Sequence, residues 1–274
     1  MRVFISADIE GIAGVVSWDQ TLPDRRGYAQ ACEWMTQEVV AACMAARDAG
    51  ATDILVADSH LNRDNINLDE LPADVQIVRG GPRPLGMMQG VESGDFDVAF
   101  CIGFHTGADE IGVLNHTCNG AGFQRLILNG EQVDELDLYI RVASHFGVPV
   151  GMITGDNELS ASVAKRYPNI RTVSVKSAIG RISAQTITPE KARSLIQERT
   201  TEVLSDLEQL SLIDAAGPFE LDVEFKWHHP AETLDYLSCF TRTAASSVRF
   251  SGADILEVAR AIEFLGSYKM VPYP

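Results

Sequence analysis

The chain begins with short apolar runs that alternate with helical spacings. Its predicted helix from Tyr28 to Ala49 has apolar positions every three or four residues, and Gly50 follows as a stop signal. Most predicted strands are continuously apolar, as expected for a parallel sheet covered on both faces. We predict strands at 2–7, 53–57, 76–79, 97–102, 125–129, 149–153 and 170–175, and helices at 28–49, 134–146 and 157–166. This order predicts an α/β fold with a mostly parallel, Rossmann-like, doubly wound sheet.

The last third of the chain has a different pattern. Residues 176–187 are mixed and turn-like, and we place a domain boundary there. Beyond it the predicted strands alternate between apolar and polar residues, which is typical of a half-exposed sheet. We predict helices at 188–210, 230–238 and 252–265, and strands at 219–227 and 245–250. The expected organisation is therefore a Rossmann-like domain at 1–180 and a smaller α+β domain at 181–274.

Composition narrows the classes of partner. The net charge of −16 argues against nucleic acid or an anionic membrane, which would require basic patches. The longest apolar run, Val39 to Ala46, is too short to span a bilayer, and we recognise no secretory signal. The five cysteines are scattered and form no C-x-x-C motif, which favours reduced thiols. We therefore expect a cytoplasmic protein.

Ligand-type side chains follow three of the predicted strands at the point where each strand ends. Asp8 and Glu10 follow residues 2–7. His60 lies three residues after the run DILVA, and His105 lies three residues after DVAFCI. In open α/β sheets, ligands bind outside the carboxyl ends of the strands, so we expect these groups to converge. Carboxylates and imidazoles without cysteine predict a catalytic site for zinc or a similar divalent metal.

Two later segments add candidates. His116 lies in a polar loop within residues 105–124, and a loop of that length between core strands is usually functional. Glu135 lies in the first turn of the helix predicted from residue 134, where Asp134 and Asp137 are equally plausible ligands. Cys118 is a candidate nucleophile in the same loop as His116, although no feature of the sequence separates it from a structural thiol.

Each candidate also has a structural explanation. Asp and Glu beside glycine are common in turns, and acidic residues in a first helical turn are stabilised by the helix dipole. Asp58 and Ser59 could orient His60 as a ligand, or could simply cap a following helix. Independent accidents at the ends of three strands explain the joint pattern poorly, so we favour the metal site.

Five motifs in this order resemble the zinc-dependent D-aminopeptidases of the DppA type, peptidase family M55. The resemblance extends weakly through Gly155-Asp156 and Val175-Lys176 and covers nearly the whole chain. The motifs are Ser6-Ala7-Asp8-Ile9-Glu10-Gly11-Ile12-Ala13-Gly14, Asp58-Ser59-His60, Gly103-Phe104-His105, Gly112-Val113-Leu114-Asn115-His116 and Val133-Asp134-Glu135-Leu136.

The resemblance implies two zinc ions per chain, with manganese or cobalt as alternatives. Asp8 would bridge the ions, and the other ligands would be Glu10, His60, His105 and Glu135. His116 corresponds to the catalytic position, which the family literature treats as a nucleophile and which we interpret as a general acid/base. The implied reaction is release of N-terminal, D-configured residues from short peptides or amino acid amides by metal-activated water.

The resemblance also implies a ring-like homo-oligomer, a decamer, with active sites facing an inner chamber. The smaller domain would then serve oligomerisation. Aromatic residues near its strands, Trp227 and Tyr236, are candidate interface residues, as is Cys239-Phe240. Packing of these residues against the first domain explains them equally well.

Two other functions are compatible with the sequence. A binuclear phosphoesterase would use the same metals, but no G-x-x-x-x-G-K-[ST] loop is present and Gly80-Gly81-Pro82-Arg83 is a weak phosphate site. A non-catalytic peptide-binding component of a transport system is the second alternative. The lack of a recognisable export signal counts against it.

Overall fold

The computed structural model describes residues 1–268, which form two sheets and the helices around them. The strands in chain order are β1 (Arg2–Ala7), β2 (Asp53–Asp58), β3 (Gln76–Val78), β4 (Val98–Ile102), β5 (Phe123–Leu128), β6 (Glu131–Val133), β7 (Val150–Asp156), β8 (Arg171–Gly180), β9 (Ser183–Thr186), β10 (Phe219–Phe225), β11 (Phe240–Ala244) and β12 (Ser247–Gly252). The α-helices are α1 (Tyr28–Asp48), α2 (Glu135–His145), α3 (Asn157–Arg166), α4 (Pro189–Ser205), α5 (His228–Leu234) and α6 (Ile255–Ser267).

The first sheet has the strand order β3-β2-β1-β4-β7-β8-β9. All neighbours run parallel except β8 and β9, which are antiparallel. Ala7 pairs with Asp58 on one side and with Ile102 on the other, so β1, β2 and β4 end level with one another. The order reverses between β1 and β4, and such a switch point opens a crevice at the carboxyl edge.

Helices cover both faces of the first sheet, because its strands have apolar residues on both sides. Val3 and Ile5 pack in the cluster that contains α1 and α4, whereas Phe4 packs in the cluster that contains α2 and α6. No helix within residues 1–268 combines the length and the apolar character needed to cross a membrane. The predicted mostly parallel α/β sheet is confirmed.

The second sheet is antiparallel, with the order β11-β12-β10-β5-β6. In β10, alternate residues are buried, which confirms the predicted half-exposed sheet. These buried side chains share one core with α2 and α6, so the second sheet is packed on the first through that layer.

Four local predictions differ from the structure. Residues 176–187 are not a turn-like linker, because β8 continues to Gly180 and β9 forms a hairpin with it. The helix predicted at 188–210 ends as an α-helix at Ser205, and α5 begins two residues earlier than expected. The strand β11 was not predicted, because its half-exposed sequence FTRTA lacks an apolar run.

The domain division at residue 180 stays a prediction. Segments on each side of that residue contribute to the other part of the fold. After it, β9 extends the first sheet and α4 packs against α1; before it, β5 and β6 belong to the second sheet.

Candidate metal centre

The predicted ligands meet at the carboxyl edge of the first sheet. Asp8 follows β1, His60 follows β2, and His105 follows β4. All five predicted ligand side chains are buried, with between 2% and 7% exposure: Asp8, Glu10, His60, His105 and Glu135. Burial of this many ionisable groups together is costly unless they bind one another or a cation.

A close backbone contact fixes the segment that carries the two acids. Gly11 N donates a hydrogen bond to Gly103 O at 2.7 Å. A Cβ at Gly11 would lie 2.1 Å from Phe104 O, so the loops after β1 and β4 approach this closely only with glycine at that position.

Asp8 lies between two histidines. Its Oδ1 is 3.2 Å from His60 Nδ1, and its Oδ2 is 3.5 Å from His105 Nε2. Glu10 Oε2 is 3.1 Å from the same nitrogen of His60, whereas Glu135 Oε1 is 2.7 Å from Nε2 of His105. The site thus has two halves that share Asp8.

Backbone carbonyls set the orientation of the imidazoles. His60 Nε2 lies 2.6 Å from Thr21 O, and His105 Nδ1 lies 2.9 Å from Thr106 O. A carbonyl oxygen only accepts hydrogen bonds, so both of these ring nitrogens carry the proton. In the neutral ring, the nitrogen that faces the carboxylates is then unprotonated and free to bind a metal.

Two carboxylate oxygens without hydrogen-bond partners bear on whether a metal ion fits the site. Glu10 Oε2 and Glu135 Oε1 are buried and have no hydrogen-bond donor among residues 1–268. Each faces an imidazole nitrogen that is itself an acceptor in the neutral ring. Each pair of facing acceptors needs a positive charge between them, from a proton on the imidazole in the metal-free protein or from a metal ion, and this donor set suits zinc or a related divalent ion.

The buried carboxylates and imidazoles of the cluster shift one another's pKa values. Burial raises the pKa of Asp8 to about 7, and the neighbouring carboxylate of Glu10 adds to this. Burial would lower the pKa of His105, but the carboxylates of Glu135 and Asp8 outweigh it and raise the pKa to about 10. The centre therefore attracts positive charge.

The predicted catalytic histidine lies against this centre. His116 stacks on His105 with ring centroids 4.1 Å apart, and its Nδ1 donates to Leu114 O at 2.9 Å. Burial and the neighbouring His105 lower the pKa of His116. Ligand atoms of His105, His116 and Glu135 lie within 4.8 Å of one another, so distance alone does not separate His116 from the ligands.

One known protein family matches nearly the whole chain. The D-aminopeptidase model of peptidase family M55 matches residues 1–264. The chain belongs to this family. Its membership confirms the resemblance found in the motifs and makes the protein a metal-dependent hydrolase of the D-aminopeptidase family.

Two relatives match along nearly their full lengths. A D-aminopeptidase of Bacillus subtilis (strain 168) is 29% identical over 265 residues, which cover 96% of this chain and 95% of that protein. The solved structure of the Zn-dependent D-aminopeptidase DppA from Bacillus subtilis, a self-compartmentalizing protease, is similar with a TM-score of 0.90. It is 28% identical to this chain, and the match covers 97% of each chain.

The neighbours of Glu135 are engaged elsewhere in this family member. Asp134 caps α2 by accepting from Asp137 N at 2.7 Å, and Asp137 accepts from Asp134 N at 3.1 Å. Both carboxylates also pair with Arg166. Of the three acids that the sequence left open, only Glu135 points its carboxylate at His105.

The orientation of His60 differs from one expectation. Asp58 and Ser59 do not hydrogen-bond to its imidazole: Asp58 accepts from Asn65, and Ser59 donates to backbone carbonyls. Thr21 O orients the ring instead. The sequence offered no signal for this contact, because every residue has a backbone carbonyl.

A cavity of about 800 Å³ opens beside the cluster. Parts of the chain far apart in sequence line it, including Trp18, Tyr139, Arg181, Lys226 and Glu263. The sequence analysis identified none of these as cavity residues. Trp18 packs its ring against His116, with centroids 5.6 Å apart, so it forms a wall directly beside the metal centre.

Proposed function

We propose that the protein is a binuclear-zinc exopeptidase that releases N-terminal, D-configured residues from short peptides or amino acid amides. Asp8 would be the ligand shared by the two ions. Glu10 and His60 would hold one ion, and His105 and Glu135 would hold the other. Membership of the D-aminopeptidase family and the donor set of the buried cluster support this assignment.

One observation carries the proposal. In each half of the site, a buried carboxylate oxygen faces a histidine nitrogen that is unprotonated in the neutral ring, because the other ring nitrogen donates to a carbonyl. The arrangement occurs twice, and Asp8 contributes one oxygen to each half. Two metal ions, one in each half, would use all of these acceptors as ligands, and this repetition supports a binuclear site.

The reaction divides between the metals and the residues of the chain. Zinc bound here would polarise the scissile carbonyl and lower the pKa of a bound water towards neutrality. His116 is held by Leu114 O with Nε2 available, and its lowered pKa keeps it neutral and able to accept a proton. It can then return that proton to the leaving amine as a general acid. The buried carboxylates attract the free N-terminal amine of the substrate.

We further propose a ring-like homo-oligomer, a decamer, whose chamber admits short peptides. The solved relative is self-compartmentalizing. In this chain Trp227 is 68% exposed and Tyr236 is 84% exposed, so neither ring is buried against the first sheet. Large exposed aromatics are typical of interfaces between subunits.

Metal analysis combined with a substrate panel tests the proposed function. The purified protein should hydrolyse chromogenic D-amino acid amides faster than the matched L-amides, and should leave phosphate esters intact. Chelation should abolish the activity, and zinc should restore it better than an inactive ion such as Ca²⁺. Preferred hydrolysis of phosphate esters, or no hydrolysis at all, would contradict the proposal.

A further inference from the structure

We propose that Arg181 binds the C-terminal carboxylate of short peptide substrates and so selects for them. The proposal deepens the proposed aminopeptidase function and rests on it. Arg181 lies in the turn between β8 and β9 and lines the cavity beside the metal centre.

The guanidinium of Arg181 is held on two sides. Its Nε donates to Asn115 Oδ1 and its Nη2 donates to Asn115 O, each at 3.0 Å. The guanidinium carbon lies 5.2 Å from the centre of the Trp18 ring. These contacts use the Nε side of the group and leave N–H groups on Nη1 and Nη2. Such a fork binds a carboxylate with two parallel hydrogen bonds.

The charge of Arg181 is available to a ligand. Within residues 1–268, no carboxylate lies within 4.0 Å of its guanidinium. Arg63, the other arginine of the cavity, is instead paired with Glu263 at 2.6 Å. The ammonium of Lys226 donates a hydrogen bond to Gly120 O. In a cavity dominated by buried acids, a substrate carboxylate is therefore expected to bind at Arg181.

The position of Arg181 matches the length of a short peptide. Asn115, which holds the guanidinium, directly precedes His116, and Trp18 contacts both Arg181 and the ring of His116. The ring of Trp18 thus lies between Arg181 and His116, the residue proposed to act on the scissile bond. Successive Cα atoms are about 3.8 Å apart, so only a short peptide would have its carboxylate at the guanidinium while its scissile bond lies beside His116. A longer peptide places its carboxylate farther away.

Paired substrates separate carboxylate binding from general support of the site. We would measure kcat and KM for a D-dipeptide and for the same dipeptide as its C-terminal amide. For Arg181→Gln, we expect KM for the free acid to rise roughly 10- to 100-fold, while KM for the amide changes little. Arg181→Lys keeps the charge but loses the fork, and should give an intermediate rise. Lys226→Gln removes another cation of the cavity and should leave the ratio of the two KM values unchanged.

A binding measurement replaces kinetics if a variant turns over too slowly for kcat and KM to be measured. In a His116→Ala background, calorimetry can compare binding of the acid and the amide without hydrolysis. An Arg181→Gln change that weakens both ligands equally, or a Lys226→Gln change that alone discriminates between them, would overturn the assignment. A wild-type protein that binds both dipeptides but hydrolyses neither would contradict the proposed function. The ratio of its affinities for the free acid and the amide, compared with that of Arg181→Gln, would still support or refute the carboxylate site.

Discussion

Asp8 has a different place in the site from the other acids. Its two oxygens face His60 and His105 separately, whereas Glu10 faces only His60 and Glu135 faces only His105. A bridging carboxylate holds both halves together, while a terminal ligand serves one. The geometry therefore assigns different consequences to their removal.

We expect Asp8→Ala to lose both metal ions, because each half of the site then lacks a shared ligand. Glu10→Ala should mainly weaken one ion, since His105 and Glu135 remain in place. Plasma mass spectrometry of dialysed protein measures the metal content directly. The exposed residue Asp95 offers a matched control, and Asp95→Ala should retain full metal content. Retention of one tightly bound ion by Asp8→Ala would contradict the bridging role.

The role of His116 is tested by separating metal content from turnover. As a general acid/base, His116 is dispensable for metal binding, so His116→Ala should keep its metal and lose roughly 10²–10⁴-fold in kcat. Steady-state kinetics and metal analysis of one preparation give both values. Loss of metal from His116→Ala would instead make this residue a ligand, as its proximity to His105 and Glu135 allows.

At the residue scale, the sequence predicts which groups converge but not what orients them. Asp8, His60 and His105 follow strands that end level with one another, so a rule about sheet edges is enough to group them. Thr21 O and Leu114 O, which fix two of the imidazoles, are backbone atoms in irregular loops. Their positions depend on tertiary packing and have no signature in side-chain pattern.

At the scale of elements, a buried lysine in β8 holds the segment after β1. Lys176 Nζ donates to the carbonyls of Glu10, Ile12 and Val15 at 2.5, 3.0 and 2.6 Å. Burial lowers the pKa of Lys176 to about 8, so placing the ammonium here has a cost. Ile12 O also accepts from Val15 N at 3.2 Å, whereas the buried carbonyls of Glu10 and Val15 have no other donor within residues 1–268. Satisfying these carbonyls offsets that cost.

We expect Lys176→Met to lower the free energy of unfolding by about 2–4 kcal/mol, because two buried carbonyls lose their donor and a third, Ile12 O, loses one of two. Urea unfolding monitored by circular dichroism measures the change. Lys165 is exposed on α3, and Lys165→Met should stay within about 0.5 kcal/mol of wild type. Equal stabilities for the two variants would show that water replaces the lysine without loss.

The elements that the sequence analysis missed lie at sheet edges. The end of β8 beyond residue 175, together with β9 and β11, has mixed polar and apolar residues with substantial exposure, so neither an apolar run nor a strict alternation marks these segments. In contrast, α1 and β10 each bury one face, and their periodicity is visible in the sequence. An element can be predicted from the sequence when it buries one defined face, because burial gives its apolar residues a regular spacing.

At the scale of the whole molecule, the cavity needs both parts of the fold. Lys226 follows β10, and Glu263 lies on α6, yet both line the cavity beside ligands carried by the first sheet. The sequence predicted a site formed by residues 1–180 alone. Local sequence patterns do not indicate which sheet a strand such as β5 joins, so the contribution of later residues to the cavity was not predicted. Pairing of β5 with β10 is a tertiary choice.

Assembly is tested by light scattering after size-exclusion chromatography. We expect a large oligomer rather than a 29.8 kDa monomer, and hydrolysis that declines with peptide length. Tyr236→Lys should weaken the assembly, because burying a charge at an apolar contact is unfavourable. Met44, 43% exposed on α1, offers a comparison, and Met44→Lys should leave the oligomer intact. A monomer that cleaves long peptides as readily as dipeptides would refute the chamber.

The number of metal ions per chain tests the central claim most directly. Purified wild-type protein, dialysed and analysed by mass spectrometry against a measured protein concentration, should contain close to two divalent ions per chain. The double variant His60→Ala/His105→Ala, which removes one imidazole from each half of the site, should contain close to none. A wild-type protein without bound metal, or a double variant that keeps both its metal and its activity, would contradict the account.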